Sequence, residues 1–546
     1  MKADSTGKLD HRPNIILIMA DDMGFSDIGC YGSEIRTPNL DQLADNGIRF
    51  SQMYNSARCC PTRACMLTGL HPHQAGIGHM VENCGTTEYQ GYLRRDCVTI
   101  AEALHIGGYQ TLMAGKWHVG GLYNPLHPES WKIGDDQHPT PCQRGFDHFY
   151  GTLDGVASYF HPHTLLQDDQ LIQPEKDNYY YTDAISQKAA EMIDQAAQKE
   201  TPFFLYVAYT APHWPLHAPQ EDIDRYRGRY LNGGWDVLRK QRHEELKGLK
   251  ILDEKWEISP RDDQASAWQD VQNKVWEDMR MAVYAAQIDR MDQGIGLIRQ
   301  KLTEKGISDN TIIIFLSDNG GCAELFTEDG FIQNYATQTP DGKRIRAGNH
   351  TDALAGGADT FMSYDLPWAN ASNAPFRLYK HWMHEGGIST PMVVHWPALI
   401  RSSRIEHSPG HIVDIMPTLL DIAGVDYPKE YNDQVITPLD GESFKELLLG
   451  PGWERERPII WEHEGNAAVR IGRWKLVRKF PGDWELYDMV ADRTELNDLQ
   501  SVNLPRVKLM EKIYAEWAQR CNVLEWPDLG ERDNFGHFGS EAIRQG

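Results

Sequence analysis

The sequence predicts an α/β protein: a large, mostly parallel mixed sheet flanked by helices, then a smaller C-terminal α+β unit with a short antiparallel sheet and a terminal helix. Three observations predict it. Short, continuous apolar runs recur along the chain and end in polar, Gly- or Pro-containing turns. Helical periodicity fills the segments between them. From about residue 455 the texture changes to short, closely spaced strand patterns.

The apolar runs are Asn14–Met19, Tyr109–Met113, Phe203–Tyr209, Thr311–Leu316 and Met392–Trp396. Runs of this length without alternation suit strands buried on both faces. Ile288, Met291, Ile295, Ile298 and Leu302 repeat with helical spacing just before the Thr311 run and read as the core stripe of an amphipathic helix. The order suggests a doubly wound sheet with helices on both faces. Residues 220–280, rich in charge and Trp, fit no strand pattern and read as helical surface insertions. Ile459–Glu462, Ala467–Ile471, Lys475–Arg478 and Glu485–Tyr487 read as an antiparallel meander. Val507, Met510, Tyr514 and Trp517 mark one face of a final helix. The expected division is a catalytic unit over 1–450 and a C-terminal unit over 451–546.

The length of 546 residues exceeds one hydrophobic core and suggests about two to four domains. The 54 basic and 78 acidic residues give a net charge of −24, which argues against nucleic acid and anionic membranes as partners. Such a surface repels an anionic substrate at long range, so an anion site needs locally concentrated positive charge. No apolar run reaches membrane-spanning length. The polar start MKADSTGKLDHRPN lacks the apolar core of a signal peptide. Nine cysteines without framework spacing favour a reducing compartment. A cytoplasmic location is therefore expected, with export as the alternative if this is a mature or trimmed start.

In open α/β sheets ligands bind at the carboxyl ends of the strands. The Asn14 run leads to Asp21-Asp22, the Tyr109 run to Lys116-Trp117-His118, the Phe203 run to His213 and the Thr311 run to Asp318-Asn319-Gly320-Gly321. In a parallel sheet these groups gather on one rim. Asp21, Asp22, Asp318 and Asn319 offer only oxygens, which suits a hard cation such as Ca²⁺ or Mg²⁺. A divalent ion would also remove the repulsion between converging carboxylates. Arg63, Lys116 and Lys380 are the candidate cations. His118 and His213 are candidate proton shuttles, with His217 as competitor. Trp214, Trp368, Phe376 and Trp382 could wall a pocket, but packing is the expected role of each. Pocket walls are expected from 120–170, 220–280 and 325–380.

Cys59-Cys60-Pro61-Thr62-Arg63, followed by Leu67-Thr68-Gly69, is the most informative stretch. Pro61 suits the first turn of a helix, placing Cys59 just before an N-terminus that favours anions. The stretch resembles the Cys-x-Pro-Ser/Thr-Arg…Leu/Met-Thr-Gly signature of type I sulfatases, within the alkaline phosphatase superfamily. Gly108-Tyr109-Gln110-Thr111 with Gly115-Lys116-Trp117-His118-Val119-Gly120 is similar to the family's second signature. Shorter matches follow in order: Arg36-Thr37-Pro38-Asn39-Leu40-Asp41, Arg144-Gly145-Phe146-Asp147, Ala211-Pro212-His213, Ser317-Asp318-Asn319-Gly320 and Glu385-Gly386-Gly387. The likeness is strongest to bacterial arylsulfatases.

The resemblance implies that Cys59 becomes formylglycine through a maturation enzyme. One hydrate hydroxyl then attacks sulfur, assisted by Asp318 and the metal, and the alcohol leaves. The second hydroxyl loses its proton toward His118, and the sulfated hemiacetal expels sulfate. Arg63 and Lys116 hold the hydrate and sulfate oxygens. His213 and Lys380 bind sulfate and protonate the leaving oxygen. Asp21, Asp22, Asp318 and Asn319 hold one Ca²⁺, with Mg²⁺ as alternative and residue 59 within the metal set. The expected substrate is a small-molecule or saccharide sulfate ester, with the alcohol part and oligomeric state open. A phosphonate monoester or phosphodiester hydrolase using the same formylglycine is the first competing function; Lys116, His118 and Lys380 favour sulfate. A non-catalytic binding protein is the second, and no placed cationic or metal residue is missing as that would require.

Overall fold

The structure, a computed structural model, is described for residues 12–174, 178–326, 337–450 and 452–526. The start at 1–11 and the stretch 327–336 of one expected pocket wall lie outside the described residues. Each apolar run forms a strand of one eleven-stranded mixed sheet. Its centre is five parallel strands in the spatial order Thr311–Ser317, Asn14–Ala20, Phe203–Ala208, Gln110–Gly115 and His148–Thr152. Side chains alternate across the Asn14 strand. Ile16, Ile18 and Ala20 enter the core shared with the long helix Lys274–Glu304. Ile15, Leu17 and Met19 enter the core shared with the helices Cys59–Thr68 and Ile415–Ala423. Both faces are covered, so continuous apolar runs were the right signature.

The Met392 run is the exception in direction. It belongs to the strand Ser389–His395, which runs antiparallel to both the Thr311 strand and Ile48–Tyr54. Its beginning, preceded by Glu385-Gly386-Gly387, therefore lies on the rim where the parallel strands end. Backbone contact fixes this approach. Gly320 N donates to Gly387 O at 3.0 Å, and a Cβ on Gly320 would meet Gly386 O at 1.9 Å.

Residues 220–280 differ from the surface insertion expected. They contain the helices Gln220–Ile223 and Gly234–Gly248 and the first turns of the Lys274 helix. Their tryptophans point inward: Trp235 and Trp268 pack edge-on against Trp368 with ring centroids 5.1 and 5.7 Å away. Arg242 is buried with Asp27 at 2.5 Å and Glu34 at 2.9 Å. High charge hid a segment whose aromatic side is core. Trp368 and Phe376 are fully buried packing residues, as expected.

The C-terminal meander forms as read, with strands Ile459–His463, Asn466–Ile471, Trp474–Arg478 and Trp484–Asp488. Val507, Met510 and Trp517 of the helix Leu504–Arg520 cover one face. The other face packs on Tyr54, Met383 and Ile388. A fully buried ionic network crosses this junction: Lys475 Nζ lies 2.9 Å from Glu385 and 2.7 Å from Glu495, and Arg493 lies 3.3 Å from Glu385. Glu385 of the Glu-Gly-Gly motif thus anchors the C-terminal sheet and does not face the rim. Removing one partner of such a network strands the remaining charge. Lys475→Met should therefore destabilise the chain by roughly 3–5 kcal/mol, read as a lowered denaturation midpoint. An unchanged midpoint would show that the network does not hold the junction.

Candidate active site

Strand register assembles the acidic half of the site. Ala20 pairs with Ser317 across parallel strands, so Asp21-Asp22 and Asp318-Asn319 leave the sheet side by side. Asp22 turns sharply, at φ 63°, and its N–H donates to Asp318 Oδ1 at 3.2 Å. Asn319 Nδ2 donates to Asp22 Oδ1 at 2.6 Å. Two strands further along, Gly115 pairs with Ala208; beyond this pair the chain supplies Lys116 and His118, and His213 after Ala211-Pro212.

The cations enter this acidic cluster directly. Lys116 Nζ lies 2.5 Å from Asp21 Oδ2. Arg63 Nη2 lies 2.8 Å from Asp318 and 3.5 Å from Asp21. Arg63 Nη1 also donates to Lys116 O and to the Tyr206 hydroxyl, each at 3.2 Å. Lys380 Nζ sits 2.9 Å from Asp22 Oδ1 and 3.3 Å from His213 Nε2. All these side chains are essentially removed from solvent.

Cys59 is the first residue of its helix, with Arg58 as the preceding cap residue, one position later than expected. Every residue of that helix is buried. The Cys59 thiol, the Cys60 thiol and a His118 ring nitrogen lie within 4.8 Å of one another. Gly155 packs so closely on the His118 ring that a Cβ there would lie 2.3 Å from it. A hydrogen bond from Cys60, with His118, Lys116 and Lys380 nearby, holds the Cys59 thiol well below its usual range despite burial. Burial pushes Cys60 well up, and the Cys59 charge adds to this. Cys65 is also pushed up by burial and faces Ser56 at 3.4 Å inside the helix packing.

The carboxylates differ. Burial would raise Asp21, but Lys116, His213 and Arg63 hold it at about 2. Burial and the Asp21 charge push Asp318 well above the usual carboxylate range. Two buried oxygens, Asp21 Oδ1 and Asn319 Oδ1, receive no hydrogen bond, and leaving such atoms unpaired is costly. Together with the strained electrostatics of Asp318, these oxygens fit a hard divalent cation bound by oxygen ligands. Asp21, Asp22 and His213 present ligand atoms within 4.8 Å of one another. The Cys59 thiol groups instead with Cys60 and His118.

His213 and Lys380 differ in protonation state. His213 Nδ1 faces the Trp214 carbonyl at 2.6 Å. A carbonyl only accepts, so Nδ1 carries the proton and Nε2 is an acceptor in the neutral ring. Burial lowers the His213 pKa despite Asp22. Asp22, Cys322 and Glu324 keep Lys380 protonated well above its usual value against its burial. The Lys380 ammonium thus lies 3.3 Å from an imidazole nitrogen that can accept from it. His217 is a packing residue: its ring lies 2.7 Å from Thr360 O, and burial holds it at about 4.

Sequence reasoning missed the shell around these groups. Arg58 pairs with Glu324 at 2.8 Å, and Glu324 accepts from Trp214 Nε1 at 2.9 Å. Trp214 in turn packs on His213 with ring centroids 4.5 Å apart. The only signal was position: Arg58 precedes Cys59, and Glu324 follows the Asp-Asn-Gly-Gly turn.

A doubly wound sheet with a buried thiol, clustered carboxylates and several amine and guanidinium groups on its carboxyl rim suits a hydrolase for a tetrahedral oxyanion ester. The comparisons specify which. The sulfatase family model matches residues 13–425, and the model for the C-terminal region of N-sulphoglucosamine sulphohydrolase matches 376–520. An uncharacterized sulfatase of Schizosaccharomyces pombe is 31% identical over 96% of this chain and 97% of its own. An arylsulfatase of Klebsiella aerogenes is 36% identical over 82% of this chain and 94% of its own. The crystal structure of Ps i-CgsB in complex with k-i-k-neocarrahexaose is 25% identical, with a TM-score of 0.66 over 98% of this chain and 96% of that one. The chain belongs to the sulfatase family and is a sulfuric ester hydrolase. That family generally uses a formylglycine and a divalent metal.

The cation cradle makes a direct prediction. Metal analysis of the purified enzyme should find one calcium or magnesium ion per chain, and Asp22→Ala should lose it. Full zinc occupancy with neither of these ions would contradict the assignment.

Proposed function

We propose that this enzyme hydrolyses alkyl, aryl or saccharide sulfate esters through a formylglycine formed at Cys59. The observation that carries the reading is the setting of Cys59. It opens a buried helix beside His118, where a hydrogen bond from Cys60 and the nearby His118, Lys116 and Lys380 lower its pKa. Cys60 and Cys65 lie in the same helix but face a sulfur and a hydroxyl, Met80 and Ser56. Because Cys59 is only 2% exposed, a maturation enzyme would have to reach it before the domain folds.

In this reading one hydroxyl of the residue-59 hydrate gives its proton to Asp318 as it attacks sulfur, the bond from sulfur to the alcohol oxygen breaks, and the alcohol takes a proton from Lys380. His213 accepts a hydrogen bond from Lys380 and orients its Nζ. Arg63 and Lys116 hold the anionic oxygens. His118 then takes the proton of the second hydroxyl, the bond between residue 59 and sulfate oxygen breaks, and sulfate departs. This divides one displacement into two easier ones. Asp21, Asp22, Asp318 and Asn319 would hold the divalent cation, which polarises a sulfate oxygen when bound.

Protonation of the leaving oxygen matters most for poor leaving groups. Lys380→Ala should therefore reduce hydrolysis of an alkyl or sugar sulfate at least about tenfold more than that of nitrophenyl sulfate. His213→Ala should follow the same trend more weakly. Wild-type enzyme should prefer sulfate esters to matched phosphate monoesters and diesters. A flat leaving-group response in Lys380→Ala would remove Lys380 as the acid, and a preference for phosphate esters would overturn the sulfatase chemistry.

A further inference from the structure

A second cluster of titratable groups lies outside the machinery described so far. Three segments bring it together: His79 beyond the short helix Pro72–Ala75, His381 next to Lys380, and His463-Glu464 at the tip of the first C-terminal hairpin. Glu464 is the hub. His79 Nε2 lies 2.8 Å from Oε1, His381 Nδ1 lies 3.3 Å from Oε2, and His463 Nε2 lies 3.7 Å from Oε1. The cluster adjoins the catalytic helix, since His381 N donates to Ala57 O at 2.7 Å. Met80, next to His79, contacts both Arg58 Nε at 3.4 Å and Cys60 Sγ at 3.2 Å.

The donor set resembles a zinc site, but the hydrogen bonds oppose it. Asn466 Nδ2 faces His381 Nε2 at 3.1 Å and His463 O at 3.1 Å, while its Oδ1 accepts from Phe480 N at 3.0 Å. The amide is fixed by these partners. His381 Nε2 must therefore accept, and its proton sits on Nδ1, aimed at Glu464. That nitrogen has no lone pair for a metal. The cluster instead holds an oriented carboxylate.

We propose that Glu464 is a specificity-determining residue that binds a hydroxyl or ammonium group of the leaving alcohol, with His463 as its co-donor, and so selects polyhydroxylated or amino-sugar sulfates. This rests on the sulfatase reading above. Both ring nitrogens of His463 are buried without a hydrogen-bond partner. A hydroxyl placed at hydrogen-bond distance from Glu464 Oε1 and His463 Nε2 would donate to the first and accept from the second, satisfying both. The carboxylate is poised for this. Burial opposes its charge, but His381 and the His79 hydrogen bond hold Glu464 well below the usual range. Glu464 and Gly465 form the two-residue turn between the paired His463 and Asn466, with φ 51° and 77° as such hairpins require, and this turn places the Glu464 side chain at the hairpin tip. The side chains of Arg58, Glu324, His79, His381 and Glu464 keep 9–13% exposure, so this edge of the cluster meets solvent. Two carboxylates, Glu324 and Glu464, lie near Arg58 there and contribute to its electrostatics. A second anionic group on the leaving alcohol would meet them.

The test uses enzyme with residue 59 modified and three substrates: a hexosamine monosulfate with a free amine, the same sugar with a second sulfate, and 4-nitrophenyl sulfate. Wild type should favour the monosulfated over the disulfated sugar at least about tenfold in kcat/KM. Relative to 4-nitrophenyl sulfate, Glu464→Gln should lower kcat/KM for the monosulfated sugar about ten- to a hundredfold, mainly through KM, and should narrow the discrimination against the disulfated sugar. Glu324→Gln, the second variant, should narrow that discrimination too. Equal losses on all three substrates, a wild type indifferent to the second sulfate, or stoichiometric zinc lost in His463→Ala would each overturn the assignment. A wild type active on 4-nitrophenyl sulfate but indifferent among the sugars would overturn this inference alone, and no turnover of any sulfate ester would overturn the hydrolase reading as well.

Discussion

The structure depends on one constraint: buried charges of opposite sign must be packed where water cannot screen them. Asp21, Asp22 and Asp318 emerge side by side because Ala20 and Ser317 are in register. Arg63, Lys116 and Lys380 each reach at least one of these carboxylates. Such a cluster is stable only while every member keeps a partner. Its electrostatics also have a chemical use. Asp318 stands well above its usual pKa while Asp21 is held at about 2, and a divalent cation would let both ionise. The same positive groups that neutralise the carboxylates surround Cys59. The cations and carboxylates of this rim offset one another, so in a chain of net charge −24 the attraction for an anionic ester would come from the divalent cation they can hold.

The second sheet acts on this rim from outside. The network of Glu385, Lys475, Glu495 and Arg493 fixes the Glu-Gly-Gly segment to the C-terminal strands. Lys380 lies just upstream of that segment, and the Gly386–Gly320 approach ties it to the Asp318 turn. The hairpin carrying Glu464 reaches the same region from the C-terminal side. The C-terminal unit therefore positions the acid of the proposed reaction and contributes to the entrance. A catalytic unit lacking it would lose the anchor of Lys380.

Much of this was legible in the sequence for physical reasons. Strands buried on both faces leave continuous apolar runs, and the parallel rule then places whatever follows them on one rim. That reasoning located Asp21, Asp22, Lys116, His118, His213, Asp318 and Asn319 together. Cys59 and Arg63 came from the resemblance of Cys59-Cys60-Pro61-Thr62-Arg63 to the sulfatase signature. Other features left weaker traces. The inward Trp235 and Trp268 were masked by surrounding charge, and the strand Ile48–Tyr54 carries polar residues among its apolar ones. The direction of the Met392 strand is a long-range pairing that no local pattern encodes. The proton state of His213 depends on one carbonyl, Trp214 O, and the Glu464 cluster on contacts between residues hundreds of positions apart; neither has a sequence signature.

The central claim is that residue 59, converted to formylglycine, carries the sulfuryl group during turnover and that His118 releases it. The most direct measurement is the mass of the peptide containing residue 59, taken from enzyme made in its native host, before and after a single turnover by His118→Ala. The account predicts a carbonyl oxygen in place of the Cys59 sulfur before substrate, and the gain of one sulfuryl group on that peptide afterwards. A stoichiometric free thiol at residue 59 in fully active enzyme would contradict it, as would turnover in the variant with no sulfated peptide at any time.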